Sequence, residues 1–258
     1  MSNVPAPDVP AKPAARLGIV HFLGWMIGVS AVLALYRAAT AMSDRPPEVD
    51  LTQQLIQLGF GLAYGSAVSG LGLFLWRWWR GTGGGPSQPG HWLLVFGGIG
   101  MVVDFGLAVA LQAIAILSRE TTDYGILSFQ VWSRHQIIGW SITALITVVI
   151  LVLLRAAWWW RAVVILALLM AASNVAAMVL YVLGAHGVFA GSWPYEVSMW
   201  VRVGGALVCA VAIAFAEACD RRLGRKRDWL HLVGILTALA LASVDLVVQG
   251  YFLWLARR

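Results

Sequence analysis

Long apolar blocks alternate with short polar breaks along this chain, and that pattern predicts its elements. Seven blocks stand out: Leu17–Ala39, Leu55–Trp76, Trp92–Leu117, Ile137–Leu154, Trp160–Gly184, Val197–Ala216 and Trp229–Trp254. Each approaches the roughly 20 residues that a helix needs to cross about 30 Å of hydrocarbon. Backbone inside lipid must satisfy its own hydrogen bonds, so the blocks read as helices. The expected fold class is an all-α, polytopic transmembrane bundle of about seven spans. The fourth and sixth blocks are short for a full crossing and lean on the interfacial Trp132 and Trp193. Tryptophans mark other ends as well: Trp76, Trp78 and Trp79 close the second block, Trp158–Trp160 open the fifth, and Trp229 and Trp254 bracket the seventh. Indole rings favour the headgroup level because they are apolar with a single donor.

The breaks set the orientation. With the N-terminus inside, eleven basic residues fall on the inner side, among them Arg77, Arg80, Arg155, Arg161 and the run Arg221–Arg227. Seven fall outside, accompanied by acids such as Asp44, Glu48, Asp50, Glu120, Asp123 and Glu196. The basic bias predicts an inner N-terminus and an outer C-terminus. The closing "ARR" places two arginines on the translocated side, which six spans with one re-entrant block would avoid. The triplet "ATA" at 39–41 resembles a signal-peptidase site. The block before it is too long for a signal sequence and Arg37 intervenes, so an uncleaved anchor is expected. Residues 1–16, rich in Pro and Ala, read as a disordered inner tail, and 17–258 as a single membrane domain. The segment "GTGGGPSQPG", 81–90, lacks the phosphate-loop pattern and reads as a flexible inner linker.

Composition agrees with this picture. Of the 258 residues 60% are hydrophobic and 12% charged, against about a quarter charged in soluble domains. The net charge of +6 sits at block ends, where it serves topology and contact with anionic lipid, so no nucleic-acid partner is expected. The lipid bilayer is the expected partner, beside a membrane-protein partner or a second copy of the chain. The excess of Arg over Lys, with abundant Ala and Gly, suggests a bacterial cytoplasmic (inner) membrane. Cys209 and Cys219 lie ten residues apart on one helix, about 15 Å, too far to bridge each other.

The candidate chemistry lies in the few polar residues inside the blocks. A carboxylate at mid-bilayer costs about 2.5–3.5 kcal/mol on insertion scales, so it should face the bundle. Asp245 shares a helical face with Gly234, Ala238, Ala242 and Gln249, and with His231 at the inner end. Asp104 lies with Gly97, Gly100, Ala108 and Ala115, and Asn174 with Ala167, Ala171, Ala177 and Tyr181. Such small-residue stripes are expected where helices approach closely. The separations of 70 and 71 residues between Asp104, Asn174 and Asp245 suggest a repeated hairpin, although seven similar spans produce even spacing in any case. Asn174 reads as interhelical glue, and "GLAYGSAVSG", 61–70, as a G-x-x-x-G packing face. Asp104 and Asp245 stand equally for function and for structure, with Arg202 able to snorkel towards one of them.

Histidines near the inner ends (His21, His91, His231) and near the outer ends (His135, His186) are candidate ligands for a b-type haem, although interfacial histidine reaches water cheaply. Retinal is excluded, because the only lysines are Lys12 in the tail and Lys226 in an inner loop. Neither H-E-x-x-H nor G-x-S-x-G occurs, and no catalytic motif is recognised. Two classes of function remain. In one, a small carrier or channel uses Asp104 and Asp245 on a proton or cation path, with Asn174, Gln112, Gln249 and Arg202 beside it. In the other, a sensor or assembly subunit uses its buried polar groups as packing glue.

Overall fold

The computed structural model of the chain describes residues 19–41, 51–81, 86–117, 124–186 and 193–255. These hold seven helices: α1 (Ile19–Ala41), α2 (Leu51–Trp79), α3 (Pro89–Leu117), α4 (Tyr124–Leu153), α5 (Trp158–Ala185), α6 (Trp193–Arg222) and α7 (Trp229–Leu255). Six of them, α2 to α7, contain stretches long and apolar enough to cross a membrane. The described apolar stretch of α1, His21–Leu35, is shorter. The chain is thus a multi-pass helical membrane protein. The expected tail, 1–16, lies outside the described residues.

Two expectations need correction. α4 and α6 are not short: each is 30 residues long. Hydropathy begins the fourth block at Ile137 because Arg134, His135 and Gln136 interrupt it, yet the helix runs on through them. Trp132 and Trp193 accordingly lie within helices. The linker 81–90 is also only partly a linker. Gly81, at φ +65°, ends the α2 segment, but Pro89 already opens α3, where its missing N–H costs nothing. Gln88 accepts the backbone N–H of Asp228 at 3.2 Å.

Five helices close a ring. α3 packs on α4, α4 on α5, α5 on α6, α6 on α7, and α7 back on α3. α2 fills the outer groove between α3 and α7, and α1 lies against α2. The outward faces carry bulky Val, Leu and Ile, such as Val152, 77% exposed, as lipid-facing surface should. We call the end where α2, α4 and α6 finish the basic end, after its arginines.

Small residues set the close approaches. On the α1–α2 seam a Cβ at Gly65 would overlap Val29, one at Gly61 would overlap Leu33, and one at Gly28 would strike Ser69. The packing face at 61–70 is therefore real and belongs to α1. The tightest approach closes the ring: a Cβ at Gly90 would overlap the backbone of His231, and one at Gly234 the backbone of Gly90. Near the basic end Ile150, Leu154, Trp160, Val163, Val164, Ile213, Ala216 and Ile235 form one buried apolar cluster, each under a tenth exposed.

Overpacking normally costs about 1–3 kcal/mol, and more when the clash is with backbone, which has no rotamer to yield. Gly90→Ala should therefore lower the melting temperature in detergent sharply. Gly72→Ala, where a Cβ meets nothing within 4 Å, should leave it unchanged or slightly raised. Equal behaviour of the two variants would mean that α3 and α7 do not touch at this glycine.

Candidate functional site

The ring, with Phe60 and Tyr64 of α2, lines a cavity of about 480 Å³ that runs down onto this apolar cluster. Its lower wall is apolar and aromatic, with Trp92, Phe96 and Trp160. Its upper wall is polar: Asp104 from α3, His135 and Gln136 from α4, Arg202 from α6, and Asp245 and Gln249 from α7. At 1.5 Å per residue, Asp104 and Asp245 lie about 22–24 Å along α3 and α7 from the basic end. The two aspartates thus line one chamber at similar depth.

Within the polar layer the groups differ in how fully they are engaged. His135 Nε2 lies 3.0 Å from Asp104 Oδ1 and 3.3 Å from the Asp104 carbonyl. Both are acceptors, so this nitrogen carries a proton. Half of the Asp104 side chain, 54%, nevertheless stays accessible. Asp245 accepts a 3.3 Å hydrogen bond from Gln249, one turn along its own helix. The positive field of Arg202 reaches it.

Arg202 is held from three sides. Its Nε donates to Asn174 Oδ1 at 3.1 Å, its Nη2 donates to Gln136 Oε1, and its guanidinium lies 5.2 Å from the Trp140 ring centroid. Trp140 Nε1 donates to the same Gln136 oxygen at 3.3 Å. Asn174 stands behind this group and does not line the cavity. It is fully buried, donates to the Met170 carbonyl at 2.9 Å, and accepts from Ser198 as well as Arg202. Asn174 therefore ties α5 to α6 and aims the arginine. The side chain of Gln112 lies outside those described.

The small-residue stripes divide. In α7, Ala238 and Ala242 line the cavity beside Asp245 and Gln249, while Gly234 and His231 form the contact with α3. In α3, Gly97 and Gly100 line the cavity with Asp104, whereas the side chains of Ala108 and Ala115 are not among those described. In α5, Ala167 lines it, Ala171 and Ala177 are buried, and Tyr181 meets the edge of Trp132.

A second polar group closes the basic end, and its acids escaped the sequence reading. Asp220, fully buried at the end of α6, accepts from Trp159 Nε1 at 3.1 Å, Trp160 Nε1 at 2.8 Å, Arg225 at 3.2 Å and Arg227. Glu217, one turn earlier, pairs with Arg221 at 2.8 Å and accepts from His231 Nε2 at 3.1 Å. Gly90 N–H donates to His231 Nδ1 at 2.8 Å, so the ring is the Nε2–H tautomer with both nitrogens engaged. Asp228 is the N-cap of α7: its Oδ1 accepts the backbone N–H of His231 at 2.9 Å and faces His91 Nε2 at 2.9 Å. The signal for this cap was present, since an aspartate directly before an apolar block marks a helix start.

The candidate haem ligands stand in separate settings. His231 uses both nitrogens, His91 gives Nε2 to Asp228 and keeps a buried Nδ1 without a hydrogen-bond partner, and neither is among the residues lining the cavity. His21 packs edge-on against Trp229, 5.2 Å between ring centroids. His135 serves Asp104, and His186 turns its Nδ1 back to the Val182 carbonyl at 2.7 Å. No group of three or more His, Cys, Asp or Glu among the described residues could hold a metal ion. Compared with protein-family models, curated proteins and solved structures, the chain matches none.

The two layers are distinguishable by stability. Asn174→Leu leaves Ser198 and Arg202 buried without their shared acceptor and should cost about 2–4 kcal/mol. Asp245→Leu removes one hydrogen bond within its own helix and should leave the melting temperature unchanged or raised. The reverse order would make Asp245 the structural residue.

Asp228 adds a pH dependence. Burial pushes its carboxyl up, but the hydrogen bonds from His91 and the His231 N–H, with the charges of His91 and Arg77, outweigh this and hold it below the ordinary carboxylate range. A group depressed on folding adds stability above its unfolded pKa, near 3.9, that is lost as pH falls through the folded value. The melting temperature should hold above about pH 5 and fall below about pH 4. Asp228→Asn keeps the cap and should flatten this limb, whereas Asp228→Ala should cost about 1 kcal/mol more. An unaltered acid limb in Asp228→Asn would assign it to another group.

Proposed function

We propose that this protein is a small carrier that moves a solute across its membrane through the ring of α3–α7, with proton exchange at Asp104 and His135. The observation that carries this reading is the convergence of Asp104, His135, Arg202 and Asp245 from four helices on one cavity of about 480 Å³. That volume lies within the roughly 300–1,000 Å³ of small-molecule sites. Ionisable residues inside a membrane are expensive, and gathering four of them around empty space does nothing for packing.

A carrier fits better than an open channel because of the basic end. There an apolar cluster floors the cavity, and beyond it every carboxylate of Asp220, Glu217 and Asp228 is engaged. Passage requires the helices to part at that end, and a solute seated in the cavity is what biases such a change. The pair Asp104–His135 suits proton exchange: a carboxylate and an imidazole 3.0 Å apart share one proton position, and the aspartate stays accessible. Arg202, fixed by Asn174 and Gln136, places a positive charge within reach of Asp245. The reading as a scaffold or sensor is favoured by Asn174, whose bonds are interhelical glue, but it leaves the open carboxylates without a role.

The test is a pH gradient across pyranine-loaded liposomes, with inorganic cations and small organic solutes supplied in turn. Wild type should collapse the gradient with at least one of them. Asp104→Asn should slow that collapse by roughly tenfold or more, the scale of losing one proton-transfer group, while melting as wild type does. Wild-type vesicles no faster than empty ones with every solute would overturn the proposal.

A further inference from the structure

The cavity also constrains what it takes. Resting on the carrier reading, we infer that the solute is a monovalent organic cation with an apolar body, seated at Asp245 and exchanged for the proton held between Asp104 and His135.

Hydrogen-bonding capacity decides the sign of the charge. An anion would need an unopposed positive group, and the charge of Arg202 is already opposed by Asp245 while its guanidinium is held by Asn174, Gln136 and the face of Trp140. What is open is acceptor capacity. A carboxylate has about four acceptor positions; among the described residues Asp245 uses one, on Gln249, and Asp104 bonds through Oδ1 only. The site lacks a cationic donor.

The walls decide the kind of cation. Ca²⁺ takes about six to eight oxygen ligands, and among the described residues no group of three or more His, Cys, Asp or Glu could hold a metal ion. The lower chamber instead presents Trp92, Phe96 and Trp160, which suit an apolar body and, through their ring faces, a positive head.

Charge balance decides the stoichiometry. Among the described residues, the titratable groups facing the cavity are Tyr64 on α2, Asp104 on α3, His135 on α4, Arg202 and Cys209 on α6, and Asp245 on α7, with none from α5. Counting both aspartates as carboxylates, protonated His135 and Arg202 balance them. A net charge in a low-dielectric chamber is costly. One cation therefore enters as one proton leaves His135 for the water from which the cation came, and the chamber stays neutral.

The experiment is equilibrium dialysis of the purified full chain in detergent with radiolabelled benzylammonium, whose charged head keeps three N–H donors, and with phenylmethanesulfonate as an anion of similar body. The expected result is saturable binding of the cation only, roughly tenfold tighter at about pH 8 than at about pH 6. Asp245→Asn, still folded by its melting curve, should weaken binding by roughly tenfold or more. His135→Gln should bind with no pH dependence. Preference for the sulfonate, no saturable cation binding, unchanged affinity in Asp245→Asn, or pH-independent wild-type binding would each overturn the inference. None of these would touch the carrier reading, which stands or falls on the Asp104-dependent collapse of the pH gradient.

Discussion

The architecture depends on one contact, the meeting of α3 and α7 at the level of their backbones. Gly90 and Gly234 leave no room for a side chain between them, and the N–H of Gly90 reaches the ring of His231. That approach closes five helices into a ring. Were the two helices held apart by ordinary side chains, the five would form an open arc, and the space inside would be a groove facing lipid. In hydrocarbon a groove lined by Asp104, Arg202 and Asp245 would be untenable. Closure is thus what permits ionisable residues at mid-depth.

Within the ring, buried polar groups sort themselves by how completely they are bonded. Asp220 receives four donors, His231 uses both nitrogens, and Asn174 uses both its amide oxygen and its amide nitrogen. Such groups are fixed, and their value is in holding α3, α5, α6 and α7 together. Asp104 and Asp245 are bonded sparingly and face empty volume. The contrast appears within a single protein and a single solvent, so it does not arise from general differences in burial. It separates the groups that hold the helices together from those left with open acceptor positions.

Much of the architecture was legible in the sequence because lipid imposes a strict rule on backbone and length. The seven helices, the small-residue faces of α2, α3 and α7, and the inward placement of Asp245 all follow from apolar runs and helical periodicity. What periodicity could not supply was partnership. His135 reads as interfacial because Arg134, His135 and Gln136 interrupt the apolar run, and only the ring shows that α4 continues with His135 and Gln136 facing inward. The acids Glu217, Asp220 and Asp228 sit among arginines and read as an ordinary charged loop. Their importance comes from Trp159, Trp160 and His91, which lie far away in sequence. Periodicity assigns a face to each helix, and the choice of neighbour for that face is a tertiary fact.

The double duty of Asp228 has a kinetic consequence. One carboxylate oxygen caps the first turn of α7 and also meets His91 on α3, while the next turn of α7 is bonded to Gly90 through His231. Pulling α7 away from α3 at this end therefore breaks the clasp and frays the helix start in the same event. Intermediate, slightly parted states gain nothing, because the cap and the clasp fail together. Opening of the basic end should be a rare, all-or-none excursion on the microsecond-to-millisecond scale of helix rearrangements, and not a graded breathing. A barrier of that shape holds this end of α3 and α7 shut until both bonds give way at once.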